Sequence, residues 1–218
     1  MIDLHSHTFF SDGELVPAEH LRRVEVLGYQ AMAITDHADS SNLDFIVPRI
    51  VQVALDLNKH SNTMLIPGIE LTHVPPGLIN ELTIRARKLG AKLVVVHGET
   101  IVEPVAPGTN LAAIEAGVDV LAHPGFITEA EALKAAAKGI FLELSGRKGH
   151  SLTNGHVVKI AAKTGVKLVV DSDAHGPGDF LTAKMAEMVA LGAGLDQEGE
   201  KQIRQNMVDL VQVICNKN

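Results

Sequence analysis

The chain of 218 residues contains no tryptophan and one tyrosine, and aromatic residues make up only 3% of it. Platforms on which bases could stack are therefore scarce. It has a single cysteine, Cys215. No intramolecular disulfide can form, and a reducing cytoplasmic setting is expected. No apolar run approaches the roughly 18 residues that a membrane-spanning helix needs. Met1-Ile2-Asp3-Leu4-His5 offers neither a basic nor a long apolar segment, so no secretory leader is expected. Lys and Arg number 19 against 26 Asp and Glu, and they never form a block. A net charge of −7 without a basic patch argues against membranes and nucleic-acid polymers as partners.

What is present is an ordinary globular composition, 46% hydrophobic and 21% charged, which excludes extended disorder. The length fits one domain over residues 1–218, burying about 70% of its unfolded surface. Short apolar runs alternate with longer amphipathic ones. The short runs are Ile2–Leu4, Ala31–Thr35, Met64–Ile69, Lys92–Val96, Val118–Ala122, Ile140–Leu144 and Val166–Val170. Most are β-branched and bounded by glycine or polar residues, the pattern of buried parallel strands. Helices are predicted near 17–27, 44–60, 76–89, 109–116, 128–138, 154–164 and 179–191, several stopping at a glycine such as Gly117, Gly139 or Gly165. Residues 198–218 read as a last helix on the outside. Seven strand–helix units predict an α/β fold, a distorted (β/α)7 barrel, with a doubly wound open sheet as the alternative.

Histidine is abundant, with 11 residues. Its distribution matters more than its number. His5 and His7 end the first apolar run, and Asp12 follows in the next loop. Asp36 and His37 end the second, Glu70 the third, His97 and Glu99 the fourth, and His123 the fifth. Asp173 and His175 follow the seventh. In parallel α/β folds, sites form beyond the carboxyl ends of the strands, so these scattered residues converge. His5 and His7, two apart on an extended segment, face one side and can grip one ion, and Asp173-Ala174-His175 repeats the spacing. Imidazole mixed with carboxylate suits Zn, Mn or Fe better than Mg or Ca.

His5-Ser6-His7, Ser11-Asp12-Gly13, Ile34-Thr35-Asp36-His37, Pro67-Gly68-Ile69-Glu70, Val96-His97, Ala122-His123-Pro124 and Ser172-Asp173-Ala174-His175 resemble, in order, the motifs of the PHP (polymerase and histidinol phosphatase) family of metallophosphoesterases. The resemblance spans residues 1 to about 176. It implies a three-metal site. One ion would sit among His5, His7, Glu70 and Asp173, and a second among Asp12, His37 and His175. A third would take His97 and His123, with Glu70 bridging it to the first. Some family members have His where this chain has Asp12. Three dications against three carboxylates leave a site of roughly +3, which favours a compact anion. The implied activity is hydrolysis of a small phosphate monoester, with metal-activated water as nucleophile.

Beside the nine expected ligands, Asp3 and Asp36 are candidates to accept hydrogen bonds from ligand imidazoles. Glu99 is either such a partner or solvated. The loop Ser145-Gly146-Arg147-Lys148-Gly149-His150 offers a phosphate clamp, with Arg147 as the leading contact and Lys148 pointing outward as an alternative. His73 is a candidate proton donor or substrate contact. His20, His60 and His156 read as helical surface or packing residues. Two other functions fit the same family: a nucleotide phosphodiesterase or exonuclease, and a non-catalytic subunit of an RNA-processing ribonucleoprotein. A degenerate subunit should lack ligands and be basic, whereas this chain has all nine and is acidic. The substrate's leaving group, the native metal and a homo-oligomeric state stay open.

Overall fold

The β-branched runs assemble into one parallel sheet. The computed structural model describes residues 1–216. In chain order the strands are β1 (Ile2–Asp3), β2 (Ala31–Ile34), β3 (His37–Ala38), β4 (Met64–Leu71), β5 (Leu93–His97), β6 (Val120–Ala122), β7 (Phe141–Ser145) and β8 (Leu168–Asp171). Seven of them run β1-β2-β4-β5-β6-β7-β8, and the short β3 pairs with β4 off this path. Val94, Val95, Leu121 and Leu142 are fully buried, as a sheet covered on both faces requires.

The sheet curls until its two edges meet. A parallel bridge joins Ser6 to Ala174. Asp173 N–H donates to the His5 carbonyl at 3.0 Å, and His7 N–H to the Ala174 carbonyl at 2.8 Å. The closure of this distorted seven-stranded barrel is thus made by the segments that carry four of the expected ligands.

The helices α1 (Pro17–Val26), α2 (Leu43–Leu57), α3 (Pro76–Lys88), α4 (Thr109–Ala116), α5 (Glu129–Lys138), α6 (Asn154–Thr164), α7 (Ala183–Gly192) and α8 (Gln197–Cys215) accompany the strands. Thr128 and Glu131 form a reciprocal capping box at the start of α5, and Gly139 ends that helix with φ 70°. Two predicted boundaries move. α2 stops at Leu57 because the Asn58 side chain bonds both the N–H and the carbonyl of Leu65, drawing the chain into β4. His60 therefore lies in an exposed turn and not in a helix. α7 begins at Ala183 because the Thr182 side chain caps Met185 N–H, while Asp179 is engaged with the N–H groups of His175 and Gly176.

α8 lies against the outside of the barrel, as its apolar stripe predicts. Ile203, Met207, Leu210 and Ile214 are buried, and Asn206 donates to the Leu168 carbonyl at 2.9 Å. Each such aliphatic side chain contributes about 1.5–3 kcal/mol on burial. Residues 217 and 218 of the predicted tail lie outside the described residues.

Candidate metal centre

Local geometry aims the histidines. Ser6 donates its hydroxyl to the Ala33 carbonyl at 2.6 Å, facing away from its neighbours. The alternation of an extended chain then turns His5 and His7 to one side, ring centroids 5.0 Å apart. Gly98 allows the next approach. A Cβ there would fall 2.3 Å from the Ala122 carbonyl oxygen, so only glycine lets the turn after His97 lie against the end of β6, just before His123. Among the described residues, three other than glycine have positive φ, His73 at 52°, His123 at 26° and Asp173 at 52°. All three belong to this cluster, and such backbone costs about 1–3 kcal/mol per residue when held for function.

The expected donors come together in overlapping groups. The ligand atoms of His7, Asp12, His37 and His175 lie within 4.8 Å of one another, as do those of His5, His7 and Glu70 and those of His5, His123 and Asp173. His97 and His123 form a further group with His150. His7 thus stands between the first and second expected sets, with ring centroids 4.1 Å from His37 and 4.2 Å from His175. Glu70 Oε1 lies 3.4 Å from His5 Nε2 and 3.9 Å from His123 Nε2, between the first and third sets.

The charge on these groups follows from burial against proximity. Burial opposes a charged His5, but the carboxylates of Glu143, Asp173 and Glu70 outweigh it and hold its pKa well above the ordinary value. Burial alone would raise Glu70 and Asp173. Instead His37 and His5 hold Glu70 well below the carboxylate range, and His5 and His7 do the same for Asp173. Burial lowers His7 to about 3, keeping the ring neutral and its lone pair free.

Do these residues fit metal ions? Among buried atoms without a hydrogen-bond partner are His5 Nε2, both ring nitrogens of His7 and of His123, and Glu70 Oε1. Unpaired buried polar atoms are rare and costly. Of these, His5 Nε2 and His123 Nε2 lie 3.4 Å and 3.9 Å from Glu70 Oε1, and the set is imidazole and carboxylate, the donors that Zn, Mn and Fe take. The residues fit the ions.

The residues expected to orient the imidazoles are not those that do. Asp3 accepts from the backbone N–H of His5 and Ser172, tying down the barrel closure. Asp36 accepts from Thr8 N–H, Thr8 Oγ1 and Ser11 Oγ, fixing the loop that leads to Asp12. Neither bonds an imidazole. The orienting group is Glu143, fully buried on β7, whose Oε2 accepts from His5 Nδ1 at 2.6 Å. A carboxylate in the middle of the apolar run Phe141–Ser145 was the available signal. Thr72, bonded to both His37 Nδ1 and Glu70 Oε2, was also missed. Glu99 is half-buried and bonds no imidazole: its Oε1 accepts from Gly108 and Asn110 N–H and so starts α4.

Arg147 reaches the cluster. Its Nη1 donates to the Asp173 carbonyl at 3.1 Å and lies 2.8 Å from His175 Nδ1. Lys148 is exposed. His73 stands at the mouth, its Nε2 3.1 Å from Glu103 Oε2. A cavity of about 260 Å³ opens over Asp12, His37, His97, Arg147 and His175, with His73 and Glu103 on its wall. A second, of about 590 Å³, continues past Arg147 and Lys148 to Phe180 and Met185. The other histidines keep away. His20 is buried with its ring edge-on to Phe180, and His156 Nε2 donates to the Ile127 carbonyl.

Comparison with known proteins adds context. A family model described as PHP domain matches residues 3–135. An uncharacterized protein of Methanocaldococcus jannaschii is 47% identical over 195 residues, 88% of this chain and 89% of the relative. A DNA polymerase/3'-5' exonuclease of Bacillus subtilis is 26% identical over 194 residues, 79% of this chain but 34% of that protein. Among solved structures, a chain in archaeal ribonuclease P with mature tRNA superposes with a TM-score of 0.74 at 16% identity, covering 98% of this chain and 91% of that one. Histidinol phosphate phosphatase from Lactococcus lactis, solved with zinc, L-histidinol and phosphate, superposes with a TM-score of 0.57 at 15% identity, covering 96% and 93%.

Proposed function

The chain belongs to the PHP-domain family, and we propose that it is a metal-dependent phosphoesterase that hydrolyses a small phosphate monoester. The observation that carries this reading is the set of buried, unpartnered imidazole nitrogens, with Glu70 Oε1, gathered at the strand ends beside an arginine. We assign His5, His7, Glu70 and Asp173 to one ion and Asp12, His37 and His175 to a second. His97 and His123 take a third, shared through Glu70. Bound, such divalent ions supply an acidified water and positive charge opposite phosphoryl oxygens.

The chain's own residues do the rest. Glu143 and Thr72 hold His5 and His37 in position through Nδ1. Arg147, pinned by the Asp173 carbonyl, presents its remaining N–H donors to phosphate oxygens. His73, exposed at the mouth, serves as a substrate contact or proton donor. The second cavity, about 590 Å³, suits a metabolite-sized group esterified to the phosphate.

Support comes from the structural neighbour solved with histidinol and phosphate. A second reading, cleavage of nucleotide diesters, is favoured by the 26% identity to the polymerase/exonuclease. The scarcity of aromatic residues and the acidic charge weigh against long polymers. They weigh equally against a ribonucleoprotein subunit, despite the likeness in fold. The test is to assay one metal-loaded sample on a generic phosphate monoester and on a diester. Monoesterase activity that vanishes with chelator supports the proposal, and a preference for the diester moves the assignment to the second reading.

A further inference from the structure

Two side chains outside the nine expected ligands close on His97 and His123. His150, in the 3-10 turn after β7 (His150–Thr153), is 5% exposed and stacks on His123 with ring centroids 4.0 Å apart. Its Nδ1 lies 2.8 Å from Thr100 Oγ1. That leaves Nε2 facing the cluster, 3.5 Å from Glu103 Oε1 and 3.9 Å from Asp173 Oδ2. Glu103, on the loop between β5 and α4, places Oε2 3.1 Å from Nε2 of both His97 and His73.

His150 divides its two nitrogens as His5 and His97 do. His5 and His97 each engage an oxygen through Nδ1, namely Glu143 Oε2 and the Gly98 carbonyl. Each turns Nε2 toward a carboxylate, Glu70 and Glu103 respectively. A nitrogen held outward and the other turned inward is how metal-ligating imidazoles are oriented. His156, outside the centre, instead commits Nε2 to a backbone carbonyl. Both nitrogens of the neighbouring His123 are buried and lack a hydrogen bond.

We propose that His150 and Glu103 join His97 and His123 as protein donors to one divalent transition-metal ion. The ligand atoms of His97, His123 and His150 already lie within 4.8 Å of one another, as do those of His73, His97 and Glu103. With the shared Glu70, the set becomes three imidazoles and two carboxylates, donors that Zn, Mn and Fe all take. His73 then acts from outside, hydrogen-bonding the carboxylate that ligates. The inference rests on the metal-dependent reading above and adds two ligands to it. Because Glu103 sits on an exposed loop, it is the donor that substitution removes with least disturbance to the fold.

The experiment uses the full chain stripped of metal and titrated with Zn(II) against a chromophoric competitor, and separately with Co(II) to read the visible spectrum. Wild type, Glu103→Gln, His150→Gln and His156→Gln are compared, with thermal melts of the stripped proteins as the check on folding. The expected result is three ions in wild type and in His156→Gln. One of the three should be weakened by at least about tenfold in Glu103→Gln and in His150→Gln, with a changed Co(II) spectrum. Should His150→Gln fail to fold, Glu103→Gln alone decides. Wild-type affinities and an unchanged spectrum in the folded variants overturn the inference and leave the metal-dependent reading standing. A wild-type chain that takes up no ion overturns both.

Discussion

Replacing Glu143 should loosen the metal centre without touching a metal ligand. The His5 and Glu143 side chains are wholly buried, and Glu143 Oε2 lies 2.6 Å from His5 Nδ1. Burial pushes the Glu143 carboxyl up to about 7, so the assay belongs at pH 7.5 or above, where the acid is mostly ionised. A buried hydrogen bond to a charged group is worth about 1.5–3 kcal/mol. At about 1.4 kcal/mol per decade, that converts to roughly 10- to 100-fold in the affinity of the ion His5 holds. Loss of an orienting partner weakens metal sites by about the same factor. Glu143→Gln keeps an oxygen acceptor and should fall near the tenfold end. Glu143→Leu removes the acceptor and should fall near 100-fold. The measurement is a competition titration of the stripped protein with Zn(II), with thermal melts establishing that both variants fold. Wild-type affinity in both folded variants would refute the claim that Glu143 sets the orientation of His5.

Other perturbations have equally definite outcomes. Glu70→Gln should weaken two ions together, because the Glu70 carboxylate lies between His5 and His123, and metal analysis showing wild-type content would contradict the bridging role. Arg147→Ala should lower kcat/KM for a phosphate monoester by about 10- to 100-fold, mainly through KM, at unchanged metal content. An unchanged kcat/KM would remove Arg147 from the substrate site. His20 gives a pH test remote from the metals. Burial lowers its pKa from 6.5 to about 4, so the unfolded chain binds this proton first as pH falls. Stability from this group is therefore full above pH 6.5, declines below it, and is wholly lost below about 4, by roughly 3 kcal/mol in all. Urea unfolding of the stripped protein at pH 7.5 and pH 5 should show wild type losing roughly 2 kcal/mol more than His20→Phe. Equal losses in the two proteins would rule out a buried neutral His20.

The barrel was legible because its strands are apolar on both faces and short, and because three of its helices, α4, α5 and α6, stop at a glycine. The convergence of His5, His7, Asp12, His37, Glu70, His97, His123, Asp173 and His175 was legible because each stands at or just past the carboxyl end of a strand, where parallel topology leaves no other place to gather. What lay hidden were pairings between distant segments. Glu143 meets His5 from 138 residues away; a carboxylate inside an apolar run marks Glu143 as unusual, but nothing local names His5 as its partner. Asp36 sits beside His37 in sequence, yet the alternation of an extended chain turns it to Thr8 and Ser11 instead. Asp3, two residues before His5, is taken up by the N–H groups of His5 and Ser172. Glu103 comes from a loop with no periodicity, so only the folded chain shows it against His97. The end of α2 at Leu57 was set by the Asn58 side chain reaching Leu65, a contact that a helical pattern does not encode.

The most direct measurement of the central claim is the metal content of protein purified without chelator, followed by phosphate monoester hydrolysis before stripping, after stripping and after reloading. The account predicts two to three transition-metal ions per chain, with activity that disappears and returns with them. A chain that neither carries nor takes up Zn, Mn or Fe, or whose hydrolysis is indifferent to their removal, would contradict it.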